Sequence, residues 1–204
     1  MEFRARIMRI PVVYNLFAHG VSRADLYPWL AESVINAKDG QSVIDVGCGT
    51  AKILKYLPSV HYVGIDHNPD YIEASNQAYG LRGEFIVGDV NDDHVRERGK
   101  FDRILLLGVL HHLSDDEVTR LVSQLVRSLK VGGHLTTFDN AIVNGQHPLA
   151  RLLVKLDRGR YVRSPSEYRR LLETAFKIDE EIVRHDLLRV PYTHVIFRAS
   201  AVAG

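Results

Sequence analysis

Residues 42–53 read SVIDVGCGTAKI, a short apolar run that leads directly into a loop with two glycines. Val and Ile favour a strand, and a run that is apolar throughout is typical of a strand buried on both faces of a parallel sheet. Glycine permits a tight turn and a close approach of the backbone to a ligand. The spacing differs from the dinucleotide pattern G-x-G-x-x-G, and no Gly-Lys-Ser/Thr follows, which excludes a P-loop. Taken alone, the loop is equally compatible with an ordinary turn between a strand and a helix.

Four further strands of the same kind follow along the chain. They are predicted at 62–66, 84–89, 101–108 and 134–139. Helical segments separate them. One follows Asn68, which is placed as its N-cap, and another follows Ser114, whose capping box with Glu117 precedes a single apolar stripe. We expect the glycine pair at 132–133 to end this second helix.

The C-terminal part adds one helix and two strands. A second capping box, at Ser164 and Glu167, starts the helix. Strands are predicted at 181–186 and 194–200, and their short connection predicts an antiparallel hairpin. The regular alternation of strands and helices predicts an α/β fold: a doubly wound, mostly parallel seven-stranded sheet with an antiparallel edge hairpin and helices on both faces.

The composition is that of an ordinary globular domain. The chain has 204 residues, of which 46% are hydrophobic and 25% charged, and its formal net charge is +1. This balance gives no chain-wide field that favours nucleic acid or an anionic membrane. A single cysteine excludes an internal disulfide and favours a cytoplasmic location. No apolar run approaches the ~18 residues of a transmembrane helix, and the arginine-containing N-terminus lacks a small-residue cleavage site. We therefore expect neither secretion nor membrane binding.

Acidic residues and glycines cluster where the predicted strands end. Asp66, at the end of the second strand, is placed to accept hydrogen bonds from both hydroxyls of a ribose. Asp89, after the third strand, is placed to accept one from the exocyclic amine of an adenine. For each aspartate the alternative is a cap of the helix or turn that follows. Ligands of open α/β sheets bind at these carboxyl ends, so the grouping predicts a nucleoside-containing ligand.

Five segments, in their order and spacing, resemble the successive motifs of the class I S-adenosylmethionine-dependent methyltransferases, in particular the small-molecule branch. They are VIDVGCGTAKILKYLP (43–58), YVGIDHNPDYIEAS (62–75), FIVGDVND (85–92), FDRILLLGVLHHLSDDE (101–117) and LVRSLKVGGHLTTFD (125–139). The resemblance covers about residues 41–140. It implies a Rossmann-like fold, S-adenosyl-L-methionine as cofactor and S-adenosyl-L-homocysteine as product.

The resemblance also implies cofactor-binding residues. The loop after the first strand would line the methionine part of the cofactor, with Asp45, Gly47, Cys48 and Gly49. Asp66 would hold the ribose with His67 beside the adenine edge, and the adenine would contact Asp89 and Val90. Leu107 would present its carbonyl to the methionine amine.

Three further positions follow from the same resemblance. Ala51 stands where the family has a third glycine, and we expect this small residue to be tolerated. Tyr14 and Arg23, in an N-terminal helix folded over the cofactor, are candidates for its carboxylate. For the tyrosine, packing in the core is an equal alternative.

The fourth predicted strand delivers two adjacent imidazoles, His111 and His112. A hydroxyl acceptor must lose its proton as it is methylated, and histidine titrates near neutrality. We expect His112 to be the catalytic base that faces the acceptor, with His111 lining the same cleft. The alternative is that both cap the helix after Ser114. Adjacent histidines do not easily chelate one ion, so no metal is expected.

The segment 139–168 is longer than a simple connection and carries several arginines and tyrosines. Arg160 and Arg163 are candidates for binding an anionic acceptor, because a guanidinium makes bidentate contacts. The alternative is a solvated helix with ordinary surface arginines. Tyr192, in a polar cluster with His185 and His194, is a third candidate for the acceptor.

Together these patterns predict one methyltransferase domain over 1–204, with an N-terminal helical cap (1–40), a cofactor-binding half (41–140) and a substrate lid with edge strands (141–204). We expect methylation of a small, possibly anionic metabolite at oxygen, by a monomer or homodimer without a nucleic-acid or membrane partner. Two alternatives stay open. One is an RNA or other nucleic-acid methyltransferase, against which the lack of an Asn/Asp-Pro-Pro-Tyr/Phe box argues. The other is a non-catalytic cofactor-binding protein of the same fold.

Overall fold

Seven strands form one sheet in the computed structural model of the protein, which describes residues 23–90, 99–146, 148, 150–151 and 160–202. The strands are β1 (Ser42–Val46), β2 (His61–Asp66), β3 (Gly83–Val87), β4 (Phe101–Leu107), β5 (Leu129–Asn140), β6 (Phe176–Arg184) and β7 (His194–Ala201). Their order is β3-β2-β1-β4-β5-β7-β6. Neighbours from β3 to β5 are parallel, and β7 is antiparallel to both β5 and β6. The predicted fold class is confirmed.

Helices and several shorter turns surround the sheet, and four of the α-helices have described bounds, while residues 148 and 150–151 are also helical. The helices are α1 (Leu26–Trp29), α2 (Pro69–Tyr79), α3 (Asp115–Leu125) and α4 (Pro165–Leu172). A π-helical turn, Leu30–Ile35, continues α1. Turns of 3-10 helix lie at Lys52–Tyr56, Leu110–His112 and Val126–Ser128. None of the described helices is long and apolar enough to cross a membrane.

The predicted helix starts are confirmed by side-chain contacts. The side chain of Asn68 accepts a hydrogen bond from the backbone N–H of Asp70 at 2.9 Å. Ser114 and Ser164 each form a complete capping box with the glutamate three residues on. These short-range contacts fix where α2, α3 and α4 begin, because they satisfy amide groups that the first turn of a helix leaves unpaired.

The predicted end of α3 is wrong. The helix ends at Leu125 and the glycine pair at 132–133 lies inside β5. Leu129 is buried and pairs with Phe101 of β4. Pairing with the neighbouring strand therefore overrides the helical pattern, which had extended the apolar stripe to Leu129.

The sheet separates two apolar cores, because alternate residues of a strand point to opposite faces. On one face Ile44, Val46 and Ile104 pack with helices α3 and α4. On the other face Val43 and Leu105 pack with the helical segment 26–35 and with α2. Helices therefore cover both faces, and the carboxyl ends of the parallel strands are left for a ligand site.

Candidate active site

The loop after β1 is anchored to β2 by its backbone. The N–H groups of Gly47 and Cys48 both donate to the carbonyl of Ile65, at 2.8 and 2.9 Å. Gly47 has φ 78°, and a Cβ built there would lie 2.6 Å from Cγ2 of Val109. Both the backbone angle and the close approach require glycine at this position. The contact also brings the loop against the residues that follow β4.

Two further loop residues have left-handed backbones. Gly49 has φ 54°, and a Cβ there would meet no atom within 4 Å. Ala51 has φ 50° and is fully buried. The backbone at Ala51 thus has the conformation that glycine adopts without cost, at the position for which the resemblance implies a third glycine. The open space beside Gly49 fits a ligand that approaches the backbone closely.

Asp45 is buried, and one of its two carboxyl oxygens has a hydrogen-bond partner among the described residues. Its Oδ2 accepts a hydrogen bond of 2.6 Å from the Tyr62 hydroxyl, and its Oδ1 has no hydrogen-bond partner among the described residues. Burial raises the pKa of Asp45 to about 7, the Tyr62 hydrogen bond lowers it, and the nearby Asp66 raises it. A cationic group beside Oδ1 would offset the cost of this burial. The residue therefore fits the ammonium of the methionine part of S-adenosylmethionine.

Asp66, at the end of β2, is buried and holds two loops together. Its Oδ2 accepts from the N–H of Gly49 and its Oδ1 from the N–H of Asn68, both at 2.9 Å. Asn68, and not Asp66, caps α2. Each carboxylate oxygen accepts more than one hydrogen bond, so these contacts leave capacity for ribose hydroxyls. His67 is largely exposed, with Nδ1 3.5 Å from Oδ1 of Asp66.

The remaining predicted cofactor residues lie beside these strand ends. Asp89 is exposed just beyond β3, and Val90 is half-buried against one core. Leu107 is the last residue of β4, and the next N–H, of Gly108, donates to the Phe138 carbonyl at 2.7 Å. The structure therefore places the predicted nucleoside-binding residues along one edge of the sheet.

Cys48 lies in the same loop, and its surroundings disfavour the thiolate. Burial, together with the charges of Asp45 and Asp66, raises the pKa of its thiol well above the ordinary value. The thiol therefore stays protonated, and only a thiolate is a good nucleophile or metal ligand. Among the residues that the structure describes, no three His, Cys, Asp or Glu side chains are grouped to hold a metal ion.

The two histidines after β4 have different surroundings. His111 is buried, and its Nδ1 lies 2.7 Å from Oδ1 of Asp139 at the end of β5. The backbone N–H of His111 donates to the same oxygen at 3.1 Å. His112 is exposed, and its ring centroid is 4.0 Å from that of His111. One imidazole is therefore held by a carboxylate while the other lies at the surface.

Asp139 is a buried carboxyl that is paired with the His111 ring. Burial raises the pKa of Asp139, and the hydrogen bonds from His111 lower it. Oδ1 of Asp139 already accepts from the backbone N–H of His111. When Asp139 is ionised it only accepts hydrogen bonds, and Nδ1 would then be the donor and Nε2 an acceptor. Cε1 of His111 lies 3.7 Å from a Cβ built on Gly108. The ring is thus beside the end of β4. Asp139 was not predicted as a site residue, although it ends a predicted strand as Asp66 does.

The predicted acceptor-binding residues are dispersed. Arg160 is exposed, whereas Arg163 is buried and bonded to Asp115 and to backbone carbonyls. Tyr192 is buried, with its hydroxyl 3.4 Å from Nδ2 of Asn140 and its ring near that of His194. Arg163 therefore lies against the turn after β4 and Tyr192 lies beside β7, so the structure does not join these two in one cluster.

Of the two N-terminal candidates, only Arg23 is among the described residues. Arg23 is exposed, and its backbone N–H donates to the carbonyl of Leu187 at 3.2 Å. This contact links the start of the described chain to the connection between β6 and β7. Tyr14 lies outside the described residues. The assignment of both to the cofactor carboxylate stays a prediction.

Comparison with known proteins agrees with this geometry. Residues 43–133 match a family described as a methyltransferase domain. A probable tRNA methyltransferase 9B of Mus musculus is 34% identical over 114 residues, which are 55% of this chain and 24% of that protein. A phosphoethanolamine N-methyltransferase of Triticum aestivum is 32% identical over 108 residues, 50% of this chain and 21% of that protein. The match thus spans about a quarter of each of these relatives.

A solved structure matches the whole fold. A TehB-like SAM-dependent methyltransferase from Corynebacterium glutamicum has a TM-score of 0.68 and 19% identity, covering 98% of this chain and 97% of that one. The matched family segment contains the glycine loop, the carboxylates at the ends of β1 and β2, and the histidine pair. Residues 43–133 therefore match a methyltransferase domain, and the whole chain has the fold of the S-adenosylmethionine-dependent methyltransferase to which it is similar.

Proposed function

We propose that this protein methylates a hydroxyl oxygen of a small acceptor, with His111 as the catalytic base. The observation that carries the proposal is the 2.7 Å contact between Nδ1 of His111 and Oδ1 of Asp139. A base held by a buried carboxylate serves an acceptor that must lose a proton. The sequence pattern favours His112 for this role. We assign it to His111 because this ring is oriented by a carboxylate, and we retain His112 as a residue lining the cleft.

The residues at the strand ends would bind and orient the cofactor. Asp45 would pair with the ammonium group of the cofactor, and Asp66 would accept hydrogen bonds from the ribose hydroxyls. The backbone of the glycine loop would lie against the cofactor. Asp89 and Val90 would contact the adenine. When bound, S-adenosylmethionine supplies an electrophilic methyl group. Alignment of two reactants is itself worth several kcal/mol, on the order of 7 or more in well-oriented systems.

The His111–Asp139 pair would manage the acceptor proton. Nε2 of His111 takes the proton that the hydroxyl loses, and Asp139 stabilises the imidazolium that results. The buried Asp139 holds one tautomer, so no proton rearrangement is needed before the step. An acceptor whose nitrogen carries a free lone pair would not need this base.

The proposal is tested by methyl transfer from S-adenosylmethionine with a labelled methyl group to a panel of hydroxyl, amine and carboxyl acceptors. We expect transfer to a hydroxyl, lowered about 10²- to 10⁴-fold in His111→Ala. His112→Ala should retain more activity. Titration calorimetry with S-adenosylhomocysteine should show similar affinity for both variants. Full turnover in His111→Ala, or transfer confined to amines, would overturn the proposal.

A second candidate is methylation of RNA, which the resemblance to the protein named probable tRNA methyltransferase 9B of Mus musculus supports. The candidate is tested in the same assay with bulk tRNA as acceptor. A protein that neutralises several phosphates loses affinity steeply with salt. Transfer to tRNA, with binding that weakens as salt rises, would replace the small-molecule acceptor by RNA.

A further inference from the structure

Every N–H group of the Arg163 guanidinium donates a hydrogen bond. Its Nε and Nη2 donate to Oδ1 of Asp115 at 2.9 and 2.7 Å. Its Nη2 also donates to the carbonyl of Leu113 at 2.7 Å, and its Nη1 donates to the carbonyls of Leu110 and Tyr161 at 3.0 Å each. A guanidinium has five N–H groups, and each of them is used here. No donor is therefore left for an anionic acceptor while these contacts persist.

The contacts of Arg163 bracket the histidine turn, Leu110–His112. The carbonyl of Leu110 precedes His111 and that of Leu113 follows His112, so one guanidinium holds both ends of the turn. The turn is bonded from the same segment a second time, because the N–H of Tyr161 donates to the carbonyl of His111 at 3.1 Å. The position of the His111 ring thus depends on the segment around Arg163.

The backbone of Arg163 is bonded to the extension of β5, the strand that carries Asp139, the partner of His111. Arg163 forms a parallel bridge with Ala141, and its carbonyl accepts from the N–H of Ile142 at 3.0 Å. These two residues directly continue β5, the strand that carries Asp139. Arg163 therefore contacts the segment of each partner, the side chain on the His111 side and the backbone on the Asp139 side.

The guanidinium is also enclosed by two aromatic rings. Its Cζ lies 5.6 Å from the ring centroids of both Tyr161 and Tyr168. A planar guanidinium suits this site better than an ammonium, which is compact and more strongly hydrated. The acidic partner Asp115 is about half exposed, at 55%. Loss of Arg163 would therefore leave no buried unpaired carboxylate, so a substituted protein is expected to fold.

We propose that Arg163 is a positioning residue: it holds the histidine turn against the extension of β5 and so keeps His111 bonded to Asp139. This inference deepens the proposed function and depends on it for its catalytic meaning. It replaces the predicted role of Arg163 in binding an anionic acceptor. The contact itself is independent of which acceptor the protein uses.

The test observes the His111–Asp139 hydrogen bond directly. Proton NMR of the protein bound to S-adenosylhomocysteine, with nitrogen-15 in histidine, should show a low-field Nδ1 proton that Asp139→Asn removes. In Arg163→Gln this proton should disappear or exchange with solvent about tenfold faster or more, because local opening becomes easier. The matched control is Arg170→Gln. Arg170 lies 3.7 Å from the other oxygen of Asp115 but is 72% exposed, and the resonance should be unchanged.

A second variant keeps the test decisive. If circular dichroism shows that Arg163→Gln is unfolded, Arg163→Lys is measured, and its exchange should still be faster than in the unaltered protein. An unaltered resonance in the folded variant would overturn the positioning role. If His111→Ala retains full methyl transfer while the resonance depends on Arg163, the assigned base is wrong and the positioning role stands.

Discussion

Gly40 and Gly47 have nearly equal φ angles, so a comparison of their alanine variants distinguishes the cost of backbone strain from the cost of a steric clash. Gly40 has φ 77° and Gly47 has φ 78°, but only the second would place a Cβ against a neighbour, 2.6 Å from Cγ2 of Val109. We expect Gly40→Ala to cost about 1–2 kcal/mol of unfolding free energy. Gly47→Ala should cost more and should also weaken binding of S-adenosylhomocysteine. Urea denaturation and calorimetry measure the two effects, and equal losses in both variants would contradict the clash.

Asp45 makes stability depend on pH in a direction opposite to that of most paired carboxylates. Its pKa is raised from 3.8 to about 7 in the folded protein, chiefly by burial. Between these values the folded state binds a proton that the unfolded state has lost, so stability falls as pH rises from about 4 to about 7. Above that window the loss is complete. Asp45→Asn should flatten this part of a urea-denaturation profile measured without cofactor.

Cofactor binding should show the reverse pH dependence at the same residue. An ammonium beside Asp45 favours the ionised carboxylate, so affinity for S-adenosylhomocysteine should rise as pH increases through about 7. Binding therefore releases a proton from Asp45, and calorimetry detects this release as a binding enthalpy that changes with the ionisation enthalpy of the buffer. Tyr62→Phe removes the hydrogen bond that favours ionisation and should move this rise to higher pH. An affinity that is constant across the window would contradict the assignment.

At the scale of elements, the start of α3 bears on the position of the histidine turn that it follows. Ser114 and Glu117 complete the capping box immediately after the histidine turn. Ser114→Ala should cost about 1 kcal/mol in urea denaturation. Ser123, exposed within the same helix, is the matched control, and Ser123→Ala should be neutral or slightly stabilising because alanine favours helix. A similar cost for both would show that the cap is not what stabilises the helix start.

The elements also show which signals in a sequence are reliable. Helix starts were predictable because a capping box lies within four residues of chain. The end of α3 was not, since Leu129 pairs with Phe101 of β4, a contact between distant residues. The site residues also differ in whether a local sequence pattern predicts them. Asp66 ends a strand and matches a motif, whereas the bonds of Arg163 reach residues about 50 positions earlier, which no local pattern encodes.

For the whole molecule, two cores on opposite faces of one sheet should unfold together, because every strand between them contributes to both. The single tryptophan, Trp29, packs at the edge of one core and lies 4.8 Å below the guanidinium of Arg184 on β6. Its fluorescence and the far-ultraviolet circular dichroism should therefore change at the same urea concentration. An earlier fluorescence transition would mean that the segment 26–35 detaches before the sheet unfolds.

The strand order itself was accessible to the sequence only through resemblance. Alternating strands and helices predict a parallel sheet, but periodicity does not say that β7 lies between β5 and β6. That placement comes from pairing across the sheet, where β7 runs antiparallel to both neighbours.

The place of β7 between β5 and β6 also has a consequence for biosynthesis. A ribosome that has not yet made residues 194–201 leaves one side of β5 and one side of β6 without their partner strand. Unpaired strand edges recruit other chains. The nascent protein therefore has these unpaired edges until residues 194–201 have left the ribosome, and a chain truncated before β7 should be recovered in aggregates or bound to chaperones.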